Sequence, residues 1–421
     1  MPLPLPWGPG VQKRCGIVGR KTVAIQLGIT RALSDESHAR RLRGKRLGLV
    51  CHEASVDERC RSTVDLFLAR QADLGYRVTA LFSPQHGFWG QDQDNMIETA
   101  HGKWKGVPLH SLYSETRKPT PAMLADVDTV VVDLQDVGTR IYTFAYTMSY
   151  VMEAAAELGK EVIVLDRPNP IDGATVQGTM LDPAYRSFVG LYPMPTRPGL
   201  TLGEMARWMN ERHELNVSRR CALHVVPMTG WDRRAYWDAL GLVFVMPSPN
   251  MPTADTALTF PGFVYFEGTN VSEGRGTTRP LEQCAAPYIE PEPLLAHLDS
   301  ACPAWRQGAY VRATGFIPGF QKHAGRLCLG VFVHPVDRAA FNPVRTGLAL
   351  LRGIVELHPG RFEWKRPPYE YETERLPIDV ISGGPWVREW AEGRHPWSAY
   401  DEKERADVSE FARERRDYLL Y

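Results

Sequence analysis

The segment FEGTNVSEGRGT, residues 266–277, places two carboxylates among glycines. Glu267 and Glu273 supply the carboxylates, and Asn270 and Arg275 lie between or beside them. Glycine lets a backbone approach a bound ligand closely. Two carboxylates on such a loop suit glycoside hydrolysis, in which one group protonates the leaving oxygen and the other handles water or the sugar cation. The alternative is a rigid structural loop in which both glutamates accept backbone N–H bonds.

Polar residues also follow three apolar runs, in the stretches SPQHG (83–87), DLQDVGTR (133–140) and DRPNP (166–170). Because ligands bind at the carboxyl ends of the strands in an open parallel sheet, we expect these side chains to converge on one site. The candidates that they contribute are Gln85, His86, Asp133, Asp136, Arg140, Asp166, Arg167 and Asn169.

Some of these candidates have an equally plain structural interpretation. His86 is either an acid–base or substrate-binding group, or a turn histidine bonded to the backbone. Asp133 and Asp136 could both face a cleft, where one of them would act as an acid or base. Asp133 could instead cap the following helix or pair with Arg140.

Four arginines fall in the candidate segments, namely Arg140, Arg167, Arg197 and Arg275. Arginine binds a carboxylate through two parallel hydrogen bonds, so the four indicate an anionic ligand. The alternative is ion pairing within the protein. Asp166, for example, either orients a substrate together with Arg167 or belongs to a structural ion pair. Asn169, directly before a proline, favours a turn.

Composition and absent motifs argue against several classes of protein. The 49 basic residues match 49 acidic ones, whereas a nucleic-acid-binding protein normally carries a basic excess. The chain has no CxxC pair, no Walker A lysine and no GxGxxG after its first strand, so neither a metal nor a nucleotide cofactor is expected. It has no GxSxG, which argues against an esterase. No run of 18 apolar residues is present, so no membrane span is expected.

The elements that would hold these groups alternate from about residue 45. Strands are predicted at RLGLVCH, YRVTALFSP, VDTVVVDLQD, EVIVLDRPNP and CALHVVPM. Helices are predicted at RSTVDLFLARQADLG, YTFAYTMSYVMEAAAELGK and TLGEMARWMNERH, the last opened by a capping box of Thr201 and Glu204. Strands and helices in this alternation predict an α/β protein with a parallel sheet.

A chain of 421 residues favours two domains. Periodicity vanishes over residues 243–280, which suggests a long functional loop. A second rhythm begins near residue 290 with a helix at PEPLLAHLDS, a strand at LCLGVFVHPV, a helix at VRTGLALLRGIVEL and a charged C-terminal helix. We therefore predict domains at 23–290 and 291–421, after a disordered tail or overcalled start at 1–22. Scattered cysteines and a start unlike a signal peptide favour a cytoplasmic protein.

Taken together, several stretches resemble the peptidoglycan exo-β-N-acetylmuramidases, a bacterial family of glycoside hydrolases. They are SPQHGF, DLQDVGTRIYTF, LDRPNP, SFVGLYPMPTRPGLTLGE, PSPNMPT, FPGFVYFEGTNVSEGRGT and the terminal YLLY. The resemblance implies a Rossmann-like N-terminal domain, a smaller α/β C-terminal domain and an active site in the cleft between them. It implies release of N-acetylmuramic acid from the non-reducing end of peptidoglycan fragments without a cofactor. Asn250, in SPNMPT, joins the substrate-binding candidates.

Two positions depart from the pattern of this family. The family usually has P-E-H-G where residues 84–87 read PQHG, and R-H-G where residues 196–199 read TRPG. The glutamate of the family is the leading candidate for the catalytic carboxylate, and Gln85 cannot exchange a proton at neutral pH. Another carboxylate, from Glu267, Glu273 or Asp136, could do the work, or Gln85 could assist while substrate or water supplies the proton. Otherwise the chain is a muropeptide-binding protein without turnover.

Overall fold

The computed structural model describes residues 24–93, 96–212 and 214–421. The tail predicted at residues 1–22 lies outside this part of the chain. Within the described ranges, no helix is long and apolar enough to cross a membrane. Two units, each with its own main sheet, make up the described chain.

The first unit opens with two short helices, α1 (Gly28–Ser34) and α2 (Glu36–Ala39), and continues with strands and longer helices. Its strands are β1 (Arg46–Val50), β2 (Arg77–Ser83), β3 (Gly102–Trp104), β4 (Val107–Ser111), β5 (Thr129–Val132), β6 (Glu161–Leu165), β7 (Gln177–Met180), β8 (Pro195–Arg197) and β9 (Ala222–Val226). Its remaining helices are α3 (Thr63–Leu74), α4 (Phe144–Leu158) and α5 (Leu202–Glu211).

The main sheet has seven strands in the order β3-β4-β2-β1-β5-β6-β9. All neighbours are parallel except the edge pair of β3 and β4. In chain order, the six parallel strands lie third, second, first, fourth, fifth and sixth, which is the order of a Rossmann fold. The predicted Rossmann-like sheet is confirmed, and the carboxyl ends of β2, β1 and β5 meet at one edge.

Local sequence explains why these elements form. Every residue of β5 is buried, as expected for a strand covered on both faces of a parallel sheet. Helix α4 ends at Gly159, whose φ of 67° is the left-handed conformation that glycine adopts most easily. Helix α5 begins with the predicted capping box, in which the Thr201 and Glu204 side chains each bond the backbone of the other residue.

The second unit consists of a small antiparallel sheet and six helices. Its elements are α6 (Ala254–Phe263), β10 (Gln283–Ala286), α7 (Pro291–Ala301), β11 (Ala309–Phe316), β12 (Cys328–Pro335), α8 (Pro343–Leu357), α9 (Pro377–Ser382), α10 (Trp386–Ala391) and α11 (Ala399–Glu414). The strand order is β10-β12-β11.

This second unit begins earlier than the predicted boundary near residue 290, because β10 pairs with β12. The predicted long loop at 243–280 also contains a helix, α6. All residues of α6 from Thr256 to Phe263 are buried, so the helix has no polar face to create a periodic signal. It packs closely on α8, where a Cβ added to Gly262 would lie 1.9 Å from the Pro343 carbonyl oxygen.

The C-terminal segment binds the second unit to the first. Glu404 and Asp407, both on α11, accept hydrogen bonds from backbone N–H groups of β7 at 2.8 and 2.9 Å. The last residue, Tyr421, donates its hydroxyl hydrogen to Asp166 at 2.7 Å. These contacts hold the cleft between the two units in place.

Candidate active site

A pocket lies between the carboxyl edge of the large sheet and the loops of the second unit. The first unit contributes the loops after β2 and β5, and the second contributes α6, the turn that follows it and a loop before α9. A cleft is thus present where the prediction placed one. Its polar lining consists of Gln85, His86, Tyr142, Thr143, Ser248, Asn250, Glu267, Arg275, Tyr369 and Glu370.

Gln85 follows β2 and is only 4% exposed. Its amide nitrogen donates to Oε1 of Glu370 at 3.1 Å, and its amide oxygen accepts from the hydroxyl of Thr143 at 2.7 Å. Thr143 is the N-cap residue of α4. Because both ends of the amide have partners, Gln85 is held in a single orientation.

His86 occupies the left-handed region with a φ of 73°, which is uncommon for a residue other than glycine. Its Nδ1 lies 2.7 Å from the carbonyl oxygen of Asp92, and a carbonyl only accepts, so Nδ1 carries the hydrogen. Burial lowers the pKa of His86 to about 4, and the charge of Arg275 also lowers it. The ring is therefore neutral near pH 7 and its Nε2 is an acceptor. Asn250 bonds the Gln93 carbonyl of the same loop at 2.7 Å.

Glu267 lies in a buried ion pair at the same pocket. Nη2 of Arg275 is 2.6 Å from Oε1, and the hydroxyl of Tyr369 donates to Oε2 at 2.7 Å. Burial alone would raise the pKa of Glu267, but Arg275 and these hydrogen bonds outweigh it and hold the pKa below its usual value. Glu267 is therefore ionised at neutral pH, which suits a base or a group that stabilises a sugar cation.

Arg275 also borders a second cavity beside the pocket. Its Nε lies 3.2 Å from Oε1 of Glu273, which in turn pairs with Lys322 at 2.8 Å. These three side chains line the adjoining cavity together with Lys365. Nη1 of Arg275 is buried and has no hydrogen-bond partner within residues 24–93, 96–212 and 214–421. A buried guanidinium donor without a partner is costly, and a ligand that accepts from it would remove that cost.

The sequence analysis missed Glu370, which also lines the pocket. Glu370 is 4% exposed and accepts from the hydroxyl of Tyr113, which follows β4, at 2.7 Å. Burial raises the pKa of Glu370 above its usual value. Glu370 belongs to the stretch PPYEYETE, residues 367–374, which shows neither helical nor strand periodicity. The cluster of acidic residues and tyrosines in this stretch is the only sequence feature that could have indicated a functional role.

Asp136 is buried beside the pocket but does not line it. Its Oδ1 accepts from the backbone N–H of Gly138 at 2.6 Å, and its Oδ2 is buried without a partner. Burial raises the pKa of Asp136 to about 7. The pocket therefore brings Glu267 and His86 together as predicted, without Asp136.

The other strand-end acids bond to the protein itself. Asp133 forms a buried ion pair with Arg167, with Nη2 2.9 Å from Oδ2, and does not pair with Arg140. Asp166 accepts from the first turn of α5 and from Tyr421, and it does not pair with Arg167. None of Asp133, Arg167 and Asp166 lines the pocket, because each is used to join neighbouring elements.

Four further candidates also lie outside the pocket. Arg197 forms a buried ion pair on β8, and Arg140 donates to three backbone carbonyls, one of them in the second unit. Asn169 forms the predicted turn, and Asn270 bonds a backbone carbonyl and a tyrosine. Of the four arginines expected to bind an anion, Arg275 alone lines the pocket.

Comparison with known proteins assigns the chain to a family. Residues 47–255 match the N-terminal domain of exo-beta-N-acetylmuramidase NamZ, and residues 258–421 match its C-terminal domain. The chain belongs to the exo-beta-N-acetylmuramidase NamZ family. The peptidoglycan beta-N-acetylmuramidase NamZ of Bacillus subtilis (strain 168) is 40% identical over 402 residues, which cover 95% of this chain and 92% of that protein.

Two crystal structures from Bacteroides fragilis NCTC 9343, both of DUF1343 family proteins, share the fold. The first has a TM-score of 0.81 at 33% identity and covers 94% of this chain and 99% of its own. The second has a TM-score of 0.71 at 26% identity, with 95% and 99% covered.

NamZ family membership confirms the predicted resemblance, the two-unit α/β architecture and the class of protein, a glycosidase. Throughout the described part of the chain, no group of three or more His, Cys, Asp or Glu side chains is arranged to hold a metal ion.

Proposed function

We propose that this chain is an exo-acting β-N-acetylmuramidase that releases N-acetylmuramic acid from the non-reducing end of peptidoglycan fragments. The observation that carries the proposal is a pocket in which Glu267 and Glu370 accompany a buried donor of Arg275 that has no acceptor among the described residues. The Bacillus subtilis relative, which matches nearly the whole chain, is named for the same linkage. Such an activity would serve cell-wall turnover and recycling.

The chemistry of the sugar fits the charge of the pocket. N-acetylmuramic acid differs from N-acetylglucosamine by a lactyl ether, which carries a carboxylate. That carboxylate can accept a charge-assisted hydrogen bond from the unpartnered Nη1 of Arg275. Lys322 and Lys365, in the adjoining cavity, add positive charge on the same side of the pocket. A neutral sugar offers only uncharged oxygens to this donor, and their hydrogen bonds lack the charge assistance that a carboxylate provides.

The substrate also carries a 2-acetamido group next to the reacting carbon. In some hexosaminidases this group attacks the anomeric carbon in place of a protein nucleophile. An enzyme of that type needs a proton donor for the leaving oxygen and a charged group that stabilises the cation. Glu267, ionised through its pairing with Arg275, supplies the charged group.

The chain is expected to cleave 4-nitrophenyl N-acetyl-β-muramide faster than the matching N-acetyl-β-glucosaminide. The two substrates differ only in the lactyl group, and a hydrogen bond to a charged group contributes about 1.5–3 kcal/mol, so kcat/KM should differ roughly 10- to 100-fold. Absorbance of released 4-nitrophenol measures both rates.

Arg275→Lys is the matched variant for this preference, because it keeps a positive charge beside Glu267 and Glu273 but removes the forked donor. The preference for the muramide should shrink in this variant. Equal cleavage of the two substrates by the natural chain would contradict the proposed recognition of the lactyl group.

A muropeptide-binding protein without turnover is the second candidate, and Gln85 is the observation that favours it. An amide replaces the carboxylate that the family usually has at this position, and it touches Glu370 directly. Because Glu267 and Glu370 remain in the pocket, we expect the natural chain to turn over its substrate. We expect Gln85→Glu to change kcat/KM on the muramide by less than about tenfold, measured by the same absorbance assay.

The binding-protein alternative gives the opposite result in the same assay. The natural chain would release no product, and Gln85→Glu would create turnover. Gln91→Glu is the matched control, because it makes the same chemical change on an exposed side chain of the same loop. It should leave the rate unchanged under either hypothesis.

A further inference from the structure

The two carboxyl groups of the pocket have opposite surroundings. Glu267 is paired with a guanidinium and a tyrosine hydroxyl. Glu370 receives hydrogen bonds from two neutral groups, the amide of Gln85 and the hydroxyl of Tyr113. Among the residues that the structure describes, no Lys, Arg or His forms an ion pair with Glu370. When two carboxyl groups have different environments, their pKa values move apart. One group can then act as a proton donor while the other is ionised.

We propose that Glu370 is the catalytic acid, which protonates the glycosidic oxygen, and that Gln85 is a positioning residue that holds its carboxyl group. This inference rests on the proposed muramidase activity and names the group that supplies the proton. Glu370 lies outside the sequence stretches that carry the family resemblance.

The electrostatics support this assignment. Burial raises the pKa of Glu370, and the nearby negative charge of Glu267 also raises it. The hydrogen bonds from Tyr113 and Gln85, together with the more distant charge of Arg275, lower the pKa but do not cancel the effect of burial. Glu267 shifts in the opposite direction because Arg275 is its direct partner. At a given pH, Glu370 is therefore protonated to a greater extent than Glu267.

The geometry leaves room for that proton. A carboxyl group offers about four lone-pair positions on its two oxygens. Gln85 occupies a position on Oε1 and Tyr113 a position on Oε2, so each oxygen retains one further position for a hydrogen. Glu370 and Tyr371 both have positive φ values, 46° and 67°. Non-glycine residues held in this conformation cluster at functional sites, since the surrounding structure must offset the strain.

The proposed step balances without any further reactant. The carboxyl proton of Glu370 moves to the glycosidic oxygen while the bond from that oxygen to the anomeric carbon breaks, and the bonding electron pair stays with the leaving oxygen. Glu370 becomes a carboxylate, and the sugar becomes a cation stabilised by Glu267 or by its own acetamido oxygen. Water then forms the new bond to the anomeric carbon and returns one proton to Glu370.

This assignment also explains how an active enzyme can tolerate glutamine at position 85. Two carboxyl groups in hydrogen-bond contact share one proton, because both cannot ionise together. With glutamine at position 85, Glu370 is the only carboxyl group of the two contacting side chains. The shared proton is then carried by Glu370. Gln85 donates a hydrogen bond that orients Glu370. The acid is then Glu370, a residue of the second unit, and not residue 85.

Leaving-group dependence tests the proposal. Glu370→Gln should reduce kcat/KM on the disaccharide N-acetylmuramyl-N-acetylglucosamine by about 10²- to 10⁴-fold, because a sugar leaving group needs a proton. The loss on 4-nitrophenyl N-acetyl-β-muramide should be less than about tenfold, because nitrophenolate leaves without one. Glu374→Gln, on an exposed residue of the same loop, is the control and should match the natural chain on both substrates.

A second variant keeps the acid and changes only its surroundings. The hydroxyl of Tyr113 stabilises the carboxylate form of Glu370, so Tyr113→Phe should raise the pKa of Glu370 further. Activity that needs the acid form falls as pH rises through this pKa, so the alkaline limb of the kcat/KM profile should move to higher pH. A merely structural role for Glu370 predicts no such movement.

The outcomes separate this inference from the proposed function. If the natural chain cleaves neither muramyl substrate, the proposed function fails. If the natural chain is active and Glu370→Gln loses activity equally on both substrates, or loses none, Glu370 is not the acid and the muramidase assignment stands. An unmoved alkaline limb in folded Tyr113→Phe would overturn the inference by itself.

Discussion

Replacing Glu267 by glutamine is expected to lower kcat on N-acetylmuramyl substrates by about 10²- to 10⁴-fold. Glutamine keeps the shape of the side chain and can still accept from the hydroxyl of Tyr369, but it carries no negative charge. Because Arg275 holds Glu267 ionised, the charge is the property that the reaction would use. Both the disaccharide and the nitrophenyl muramide should be affected, since a charge that stabilises the sugar cation acts whatever the leaving group.

Glu273→Gln is the matched control for this prediction. Glu267 and Glu273 each form an ion pair with Arg275, and each variant leaves Arg275 one of its two carboxylate partners. Glu273 lines the adjoining cavity but not the pocket itself. The two variants should therefore lose comparable free energy of unfolding in urea titrations, while kcat falls steeply only for Glu267→Gln. Equal losses of kcat would contradict a direct role for Glu267.

Most of the first unit follows from sequence periodicity. Residues 129–132 are apolar throughout and form the doubly covered strand β5, and Gly159 marks the end of α4. Helix α6 could not be predicted in the same way, because burial on all sides removes the polar face on which a helical pattern depends. The same loss of pattern concealed where the second unit begins.

The carboxyl edge of the sheet was identified correctly, but the roles of its residues were not separable. Asp133 and Asp166 follow buried strands just as Gln85 and His86 do, yet they join neighbouring elements and do not line the pocket. The sequence predicts that these four residues lie at one edge of the sheet, but it does not predict the orientation of each side chain. The orientation of each side chain depends on which helices and loops pack against the carboxyl edge of the sheet.

The site residues that the sequence analysis did not predict include two from the second unit. Tyr369 and Glu370 lie about 280 residues after Gln85 in the chain, and Gln85 contacts Glu370 directly. No local pattern marks a contact of that sequence separation, since it exists only because the C-terminal segment returns to the first unit.

Asp136→Asn is expected to weaken the pH dependence of stability, because Asp136 is a buried acid with one carboxyl oxygen that has no partner among the described residues. Burial raises the pKa of Asp136 from 3.8 to about 7 in the folded chain. An acid with a raised pKa binds its proton more tightly when folded, so its contribution is complete below about pH 4 and is lost as pH rises through 7. At 1.36 kcal/mol per pKa unit, the loss is about 4 kcal/mol.

Asparagine carries no charge at any of these pH values and so escapes this loss. Urea titrations from pH 4 to pH 8 should therefore show the difference in unfolding free energy between Asp136→Asn and the natural chain moving by about 4 kcal/mol in favour of the variant. Asp73→Asn, on a largely exposed side chain at the end of α3, should show a nearly constant difference. Because Asp136 does not line the pocket, the variant should retain its kcat on the muramide at pH 7. Parallel stability curves would show that Asp136 is not buried as an acid, and a loss of kcat comparable to that of Glu267→Gln would return it to the reaction.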